Sequence, residues 1–195
     1  MPEQGGGAVI SRDPMLPGNV YVVAADDQSK VGVFRIEVSL VPGGGKLRVP
    51  SGLGKGLKES LARAMSYLDS VKDRMGLTPS LVHRDIVVEA VDLAGGHIDP
   101  ACGVGFYVAL VSALQNRNVQ PATVILGDLT IQGNLRPVSS ILEPLQIALE
   151  NGALRALLPI SNKSQFGALP EEIVEKMDLV FYGDLERAAV KAVDL

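Results

Sequence analysis

The chain has 195 residues, 47% hydrophobic and 21% charged, with a formal net charge of -4; this predicts one globular domain and excludes intrinsic disorder. A single cysteine excludes an internal disulfide and fits a reducing, cytoplasmic setting. No run approaches the ~20 apolar residues of a membrane span, and an acidic balance argues against autonomous nucleic-acid binding, which needs clustered Lys and Arg.

Residues 1–17 are rich in Gly and Pro without a period, and read as a tail or linker ahead of one domain over 18–195. The opening is glycine-rich and acidic, which is not the pattern of a signal peptide. Residues 20–25 and 31–41 are β-rich and flank Asp26-Asp27-Gln28-Ser29, a hairpin pattern. Phe34, Ile36, Val38 and Leu40 alternate with Arg35, Glu37 and Ser39, so one face is buried. A turn at 42–45 leads to a short strand at 46–49.

Gly52, Gly54 and Gly56 surround Lys55, which raises the question of a phosphate-cradling loop. The G-x-x-x-x-G-K-[ST] pattern is absent, and the stretch reads as a loop before a helix. The helix is expected over 57–74, with Leu57, Leu61, Ala64, Leu68 and Val71 on one face. Its charges read as a solvated face. Lys55, Lys58 and Arg63 form a candidate partner surface, for a second subunit or for DNA.

Residues 85–91 form another strand, which enters the stretch around which the chain is organised, residues 95–114. Two glycines lead to Asp99-Pro100, then to Ala101, Cys102 and Gly103, then to a segment apolar on nearly every side. Pro pre-sets the first turn of a helix, and an Asp before it can accept the orphan N–H groups. A helix apolar all round belongs inside the domain. Its positive end then falls at Ala101 and Cys102, where a nucleophile would gain most. Cys102 is the candidate there, with His97 five residues upstream as its base. The two histidines, His83 and His97, with one cysteine make no metal set.

Further along, residues 123–126 and 129–132 read as strands, with a hairpin turn at Gly133-Asn134. A helix follows over 141–149, stopped by Asn151-Gly152. A strand over 154–160, a polar loop over 161–165, a short helix over 170–176, a strand over 179–182 and a helix over 185–193 complete the pattern. Ser139 and Ser140 have no evident base partner.

Two stretches carry a resemblance. One is Asp99-Pro100-Ala101-Cys102-Gly103 opening its apolar helix. The other is G-D-L-T-I-Q-G-N-L-R-P-V-S-S-I-L-E-P over residues 127–144. Together they resemble the proteolytic domain of Lon-type ATP-dependent proteases, which has D-G-P-S-A-G and then G-E-[IV]-[TS]-L-x-G-x-[VL]-x-P-[IV]-G-G-[LI]-K-E-K. The likeness reaches Leu158-Pro159-Ile160-Ser161-Asn162-Lys163 and spans roughly residues 31–193. It implies an α/β (α+β-like) Lon proteolytic-domain fold, with short strands around a buried central helix and peripheral helices.

In that family a serine attacks and a lysine takes its proton, and lysine can do so near neutral pH only when burial lowers its pKa. By resemblance the serine position falls on Ala101 and the lysine position on Leu142, so neither group of the dyad is present. The wording of residues 104–110, 131–134 and 143–146 resembles most the Lon-like C-terminal domain of BrxL proteins, from BREX phage-defence systems. The resemblance implies a non-proteolytic domain that serves ring assembly or docking. Its expected partners are further copies in a homo-oligomeric ring and an AAA+ module of the same or a longer protein. That module would hold ATP; no cofactor or metal is expected in this chain, DNA is reached through the assembly, and no membrane is involved. Two alternatives stand beside it. One is an active peptidase with an unrecognised nucleophile; the other is a DNA-contacting domain similar to that of RadA-type recombination ATPases.

Overall fold

The structure, a computed structural model, describes residues 9–193. The expected hairpin is β1 (Asn19–Ala25) and β2 (Val31–Pro42), in register from Asn19↔Glu37 to Ala25↔Val31. The Asp26 carboxylate closes its turn by accepting the N–H groups of Gln28 and Lys30. A short β3 (Leu47–Arg48) and a long α1 (Lys55–Val71) follow. A helical turn the sequence did not announce, α2 (Thr78–Leu81), leads into β4 (Arg84–Asp92). Then come α3 (Gly103–Gln115), β5 (Thr123–Ile125), and the small hairpin β6 (Asp128–Leu129) and β7 (Leu135–Arg136). The chain closes with α4 (Leu142–Glu150), β8 (Arg155–Pro159), α5 (Glu171–Lys176), β9 (Asp178–Tyr182) and α6 (Leu185–Val193).

Seven strands make one mixed sheet in the order β3-β4-β2-β1-β5-β8-β9. β1, β5, β8 and β9 run parallel, and β2 is antiparallel to both its neighbours. Alternation along β1 divides the core. Val20 and Val22 face a cluster with α1, α3 and α6; Tyr21 and Val23 face a second cluster with α4 and α5. The molecule is therefore helix, sheet, helix, and α3 is its centre. Eleven of the thirteen α3 residues are buried, as its all-round apolar sequence requires. Gly105 lets it approach the sheet, since a Cβ there would lie 2.2 Å from Val22 Cγ1.

Four expectations are corrected. The expected polar loop at 161–165 lies within a 3₁₀ segment, Ile160–Ala168. The β6–β7 turn is not confined to Gly133-Asn134 but spans residues 130–134: Thr130 N–H donates to Asn134 O, and Gly133 N–H to Thr130 O. α3 starts at Gly103, so Pro100 is buried outside the helix rather than in its first turn. The expected tail over 1–17 is shorter than its composition suggests, because Ile10 is 1% exposed within the second core cluster. Residues 1–8 of that tail lie outside the described residues.

Candidate functional site

Two aspartates shape the ground in front of α3, and each caps a helix that is not its own. Asp99 does not accept from α3, as its place in the sequence suggests. Its carboxylate accepts Gly56 N–H at 2.6 Å and Leu57 N–H at 2.9 Å, the open donors of α1's first turn. The glycines at 54 and 56 make room: a Cβ on Gly54 would lie 2.5 Å from Asp99 Cγ, and one on Gly56 2.4 Å from Asp99 O. The loop considered as a phosphate cradle thus holds the chain's own carboxylate.

α3 is capped instead by Asp128, whose Oδ1 accepts Gly103 N–H at 3.0 Å. The other oxygen of Asp128 takes a charge-assisted bond from Arg63 Nη2 at 2.6 Å, and Arg63 Nε–H donates to Leu129 O at 2.9 Å. Side-chain exposure is 18% for Arg63 and 12% for Asp128, so this pair belongs to the interior. Arg136, opposite Asp128 in the small hairpin, stands 4.0 Å away and is largely exposed.

Beside this N-terminus opens a cavity of about 290 Å³. Its walls are the end of β1, the segment 136–140, Ala101, Gly127 and Asp128, with Glu143 and Pro144 at the start of α4. The 3₁₀ segment holds the 138–141 wall in place. Asn162, 1% exposed, accepts Val138 N–H and donates to Val138 O. Gln165 Oε1 accepts Ile141 N–H.

Residues 22–194 match the Lon protease C-terminal proteolytic domain. The chain belongs to that family. Among its relatives are proteins named Lon-like protease BrxL, from Bacillus cereus (29% identical over 195 residues, 99% of this chain and 29% of that protein) and from Escherichia coli (31% identical over 195 residues, 99% and 28%). A Lon protease of Phenylobacterium zucineum is 32% identical over 163 residues, 83% of this chain and 21% of that protein. The chain spans less than a third of the length of these relatives.

Ala101 and Leu142, the positions that the resemblance assigned to the dyad, separate in the structure. Ala101 is exposed and lines the cavity. Leu142 is 41% exposed at the first turn of α4 and is not among the lining residues, although Ser139, Ser140, Glu143 and Pro144 are. The lining residues include no Lys or His. No described hydrogen bond joins a hydroxyl of Ser29, Ser139 or Ser140 to a side-chain base.

Cys102 faces away from this chemistry. It is 2% exposed; burial, then the charge of Asp128, push its thiol far above the usual range, while the nearby Ser60 hydroxyl pulls more weakly the other way. A thiol held protonated is no nucleophile. His97, its imagined base, sits on an exposed loop lining a different cavity, with Asp26, Asp27 and Asp99. Of the candidate partner surface, Lys55 and Lys58 are exposed on α1, but Arg63 points inward to Asp128 and leaves the set. Among the described residues no group of three or more His, Cys, Asp or Glu could hold a metal ion, and no helix is long and apolar enough to cross a membrane. Asp128, Asn162 and Gln165 escaped the sequence reading as site residues. Asp128 lies in the second Lon-like stretch and Asn162 in the 158–163 run that resembles the family, while no motif marked Gln165.

Proposed function

We propose that the chain is a non-proteolytic Lon-like domain of a BrxL-type AAA+ phage-defence protein, where it serves to assemble or dock an ATP-driven ring. One observation carries the reading: the wall to which the resemblance assigns the nucleophile bears the methyl group of Ala101, and among the described residues the cavity beside it is lined by no amine or imidazole to act as base. The likeness to BrxL-named proteins over 99% of the chain supports the branch. ATP would be held by the AAA+ module, and contacts to DNA would be made by the assembly.

The test is a casein and fluorogenic-peptide assay of the purified chain, with light scattering on the same sample. The expected result is no turnover above background, from a species larger than one chain. Turnover that disappears on Ser139→Ala or Ser140→Ala overturns the non-proteolytic reading. A monomer at all concentrations removes the ring role from this domain.

A further inference from the structure

We infer that the stretch from Val9 to Pro17 is a strap that moves the entry point of the domain from the foot of β1 to the foot of β8. The described chain thus enters the domain at the foot of β8 and not at Gly18. The inference stands whether or not the ring reading holds.

The strap is fastened at points along its length. At one end Gly18 N–H donates to Ser112 Oγ of α3 at 2.9 Å, and Asn19 Nδ2 donates to Leu16 O. In the middle, Ser11 N–H donates to Tyr21 Oη at 3.1 Å, and Ser11 O accepts Ala122 N–H at 2.9 Å. At the other end Ile10 N–H donates to Asn151 O at 3.0 Å, and the Ile10 side chain is buried as a member of the second core cluster, with residues of β1, β5 and α4. Ala122 immediately precedes β5, and Asn151 lies at the end of α4 just before β8. The segment therefore passes the feet of β1, β5 and β8 in turn. Two strand spacings shift the entry by about 10 Å.

A flexible linker of this composition would make none of these bonds. Burying Ile10 and pairing the backbone at Ala122 and Asn151 work against the entropy of ordering the segment. The strap also lies outside the family match, which begins at residue 22, while the BrxL-named relatives align over nearly the whole chain.

Limited trypsin digestion tests the strap, because Arg12 is exposed while its neighbours Ile10 and Ser11 are held. Cleavage after Arg12 in the unmodified chain is expected to be slower than in Ile10→Asp by on the order of 10-fold or more. Lys30, exposed in the β1–β2 turn at the opposite end of β1 from Gly18, serves as the control, with equal cleavage in both. If Ile10→Asp opens every site, Tyr21→Phe decides, since it removes only the acceptor of Ser11 N–H. A nitroxide at Asp13→Cys reports the same fastening, and the buried Cys102 leaves the introduced thiol as the one labelled. An immobilised line shape that becomes mobile in Ile10→Asp supports the strap. Equal cleavage after Arg12 in the unmodified chain, Ile10→Asp and Tyr21→Phe, or a mobile spectrum from the outset, overturns it.

Discussion

Replacing Asp128 by Asn tests how the ground before α3 is held. The amide keeps the size of the side chain and an oxygen for Gly103 N–H, but it removes the charge that Arg63 meets at 2.6 Å. Breaking a buried pair by removing one partner costs about 3–5 kcal/mol. Both side chains keep a little solvent contact, 18% and 12%, which discounts that range by about 1 kcal/mol, to about 2–4 kcal/mol. In a domain of this size each kcal/mol moves the melting temperature by about 2–4 °C, which gives a fall of roughly 4–15 °C. Urea denaturation followed by circular dichroism measures the loss. A double-mutant cycle with Arg63→Met should return a coupling of about 2 kcal/mol, most of it surviving in high salt because the pair is shielded from solvent. Arg136→Gln, which removes an exposed cation 4.0 Å from the same carboxylate, should cost less than about 0.5 kcal/mol. A loss below about 1 kcal/mol for Asp128→Asn, or a coupling that vanishes in salt, refutes an interior pair holding this site.

Three further outcomes are expected. Gly56→Ala, which in an ordinary helix would gain about 1 kcal/mol, should instead lose about 1–3, because its Cβ would lie 2.4 Å from Asp99 O; a gain in thermal stability would sink the cross-capping of α1. Asp85 is buried against Lys46 N–H and, more weakly, the Arg48 guanidinium, which together hold its carboxyl below the ordinary value of 3.8. Its contribution is full above that value and is lost as pH falls through the lower folded one, so Asp85→Asn should flatten the acid limb of a urea-midpoint titration; an unchanged slope contradicts the assignment. Cys102 should ignore a thiol reagent at mildly alkaline pH in the native state and react fully in denaturant, and prompt native labelling would mean that it reaches solvent.

What the sequence disclosed was what is periodic. Phe34, Ile36 and Val38 announce the buried face of β2 by alternation, and the unbroken apolar run from Val104 to Val111 announces a helix with no wet side. The Gly133 turn and the Gly152 cap were visible because a φ of +85° and one of +103° favour the residue found there. The partners of Asp99 and Arg63 were not visible. Asp99 sits where a cap for α3 belongs, yet its donors are 42 and 43 positions upstream. Arg63 looks like part of a solvated face, yet it reaches 65 positions along the chain. Local spacing carries no trace of such bonds. Ile10 was missed for a similar reason, being an isolated apolar residue in a stretch that otherwise reads as linker.

The glycine-rich stretches gain a common explanation from these bonds. Beside Gly43, Gly54 and Gly103, an added Cβ would come within 2.2–2.5 Å of the carboxyl groups of Asp85, Asp99 and Asp128 respectively. Each turn gives up a side chain so that backbone N–H groups can close on an internal carboxylate. The open end of a helix attracts phosphate because its amides are unsatisfied and its dipole is positive. At α1 and α3 an aspartate already supplies that negative charge. The same bonds account for the shape of the cavity wall at Ala101. The 99–103 turn is fixed at one end by α1 and at the other by Asp128, and neither anchor involves the side chain at 101. A hydroxyl there can be absent without the turn losing its form, so the domain can keep the architecture of the family with a methyl group at that position.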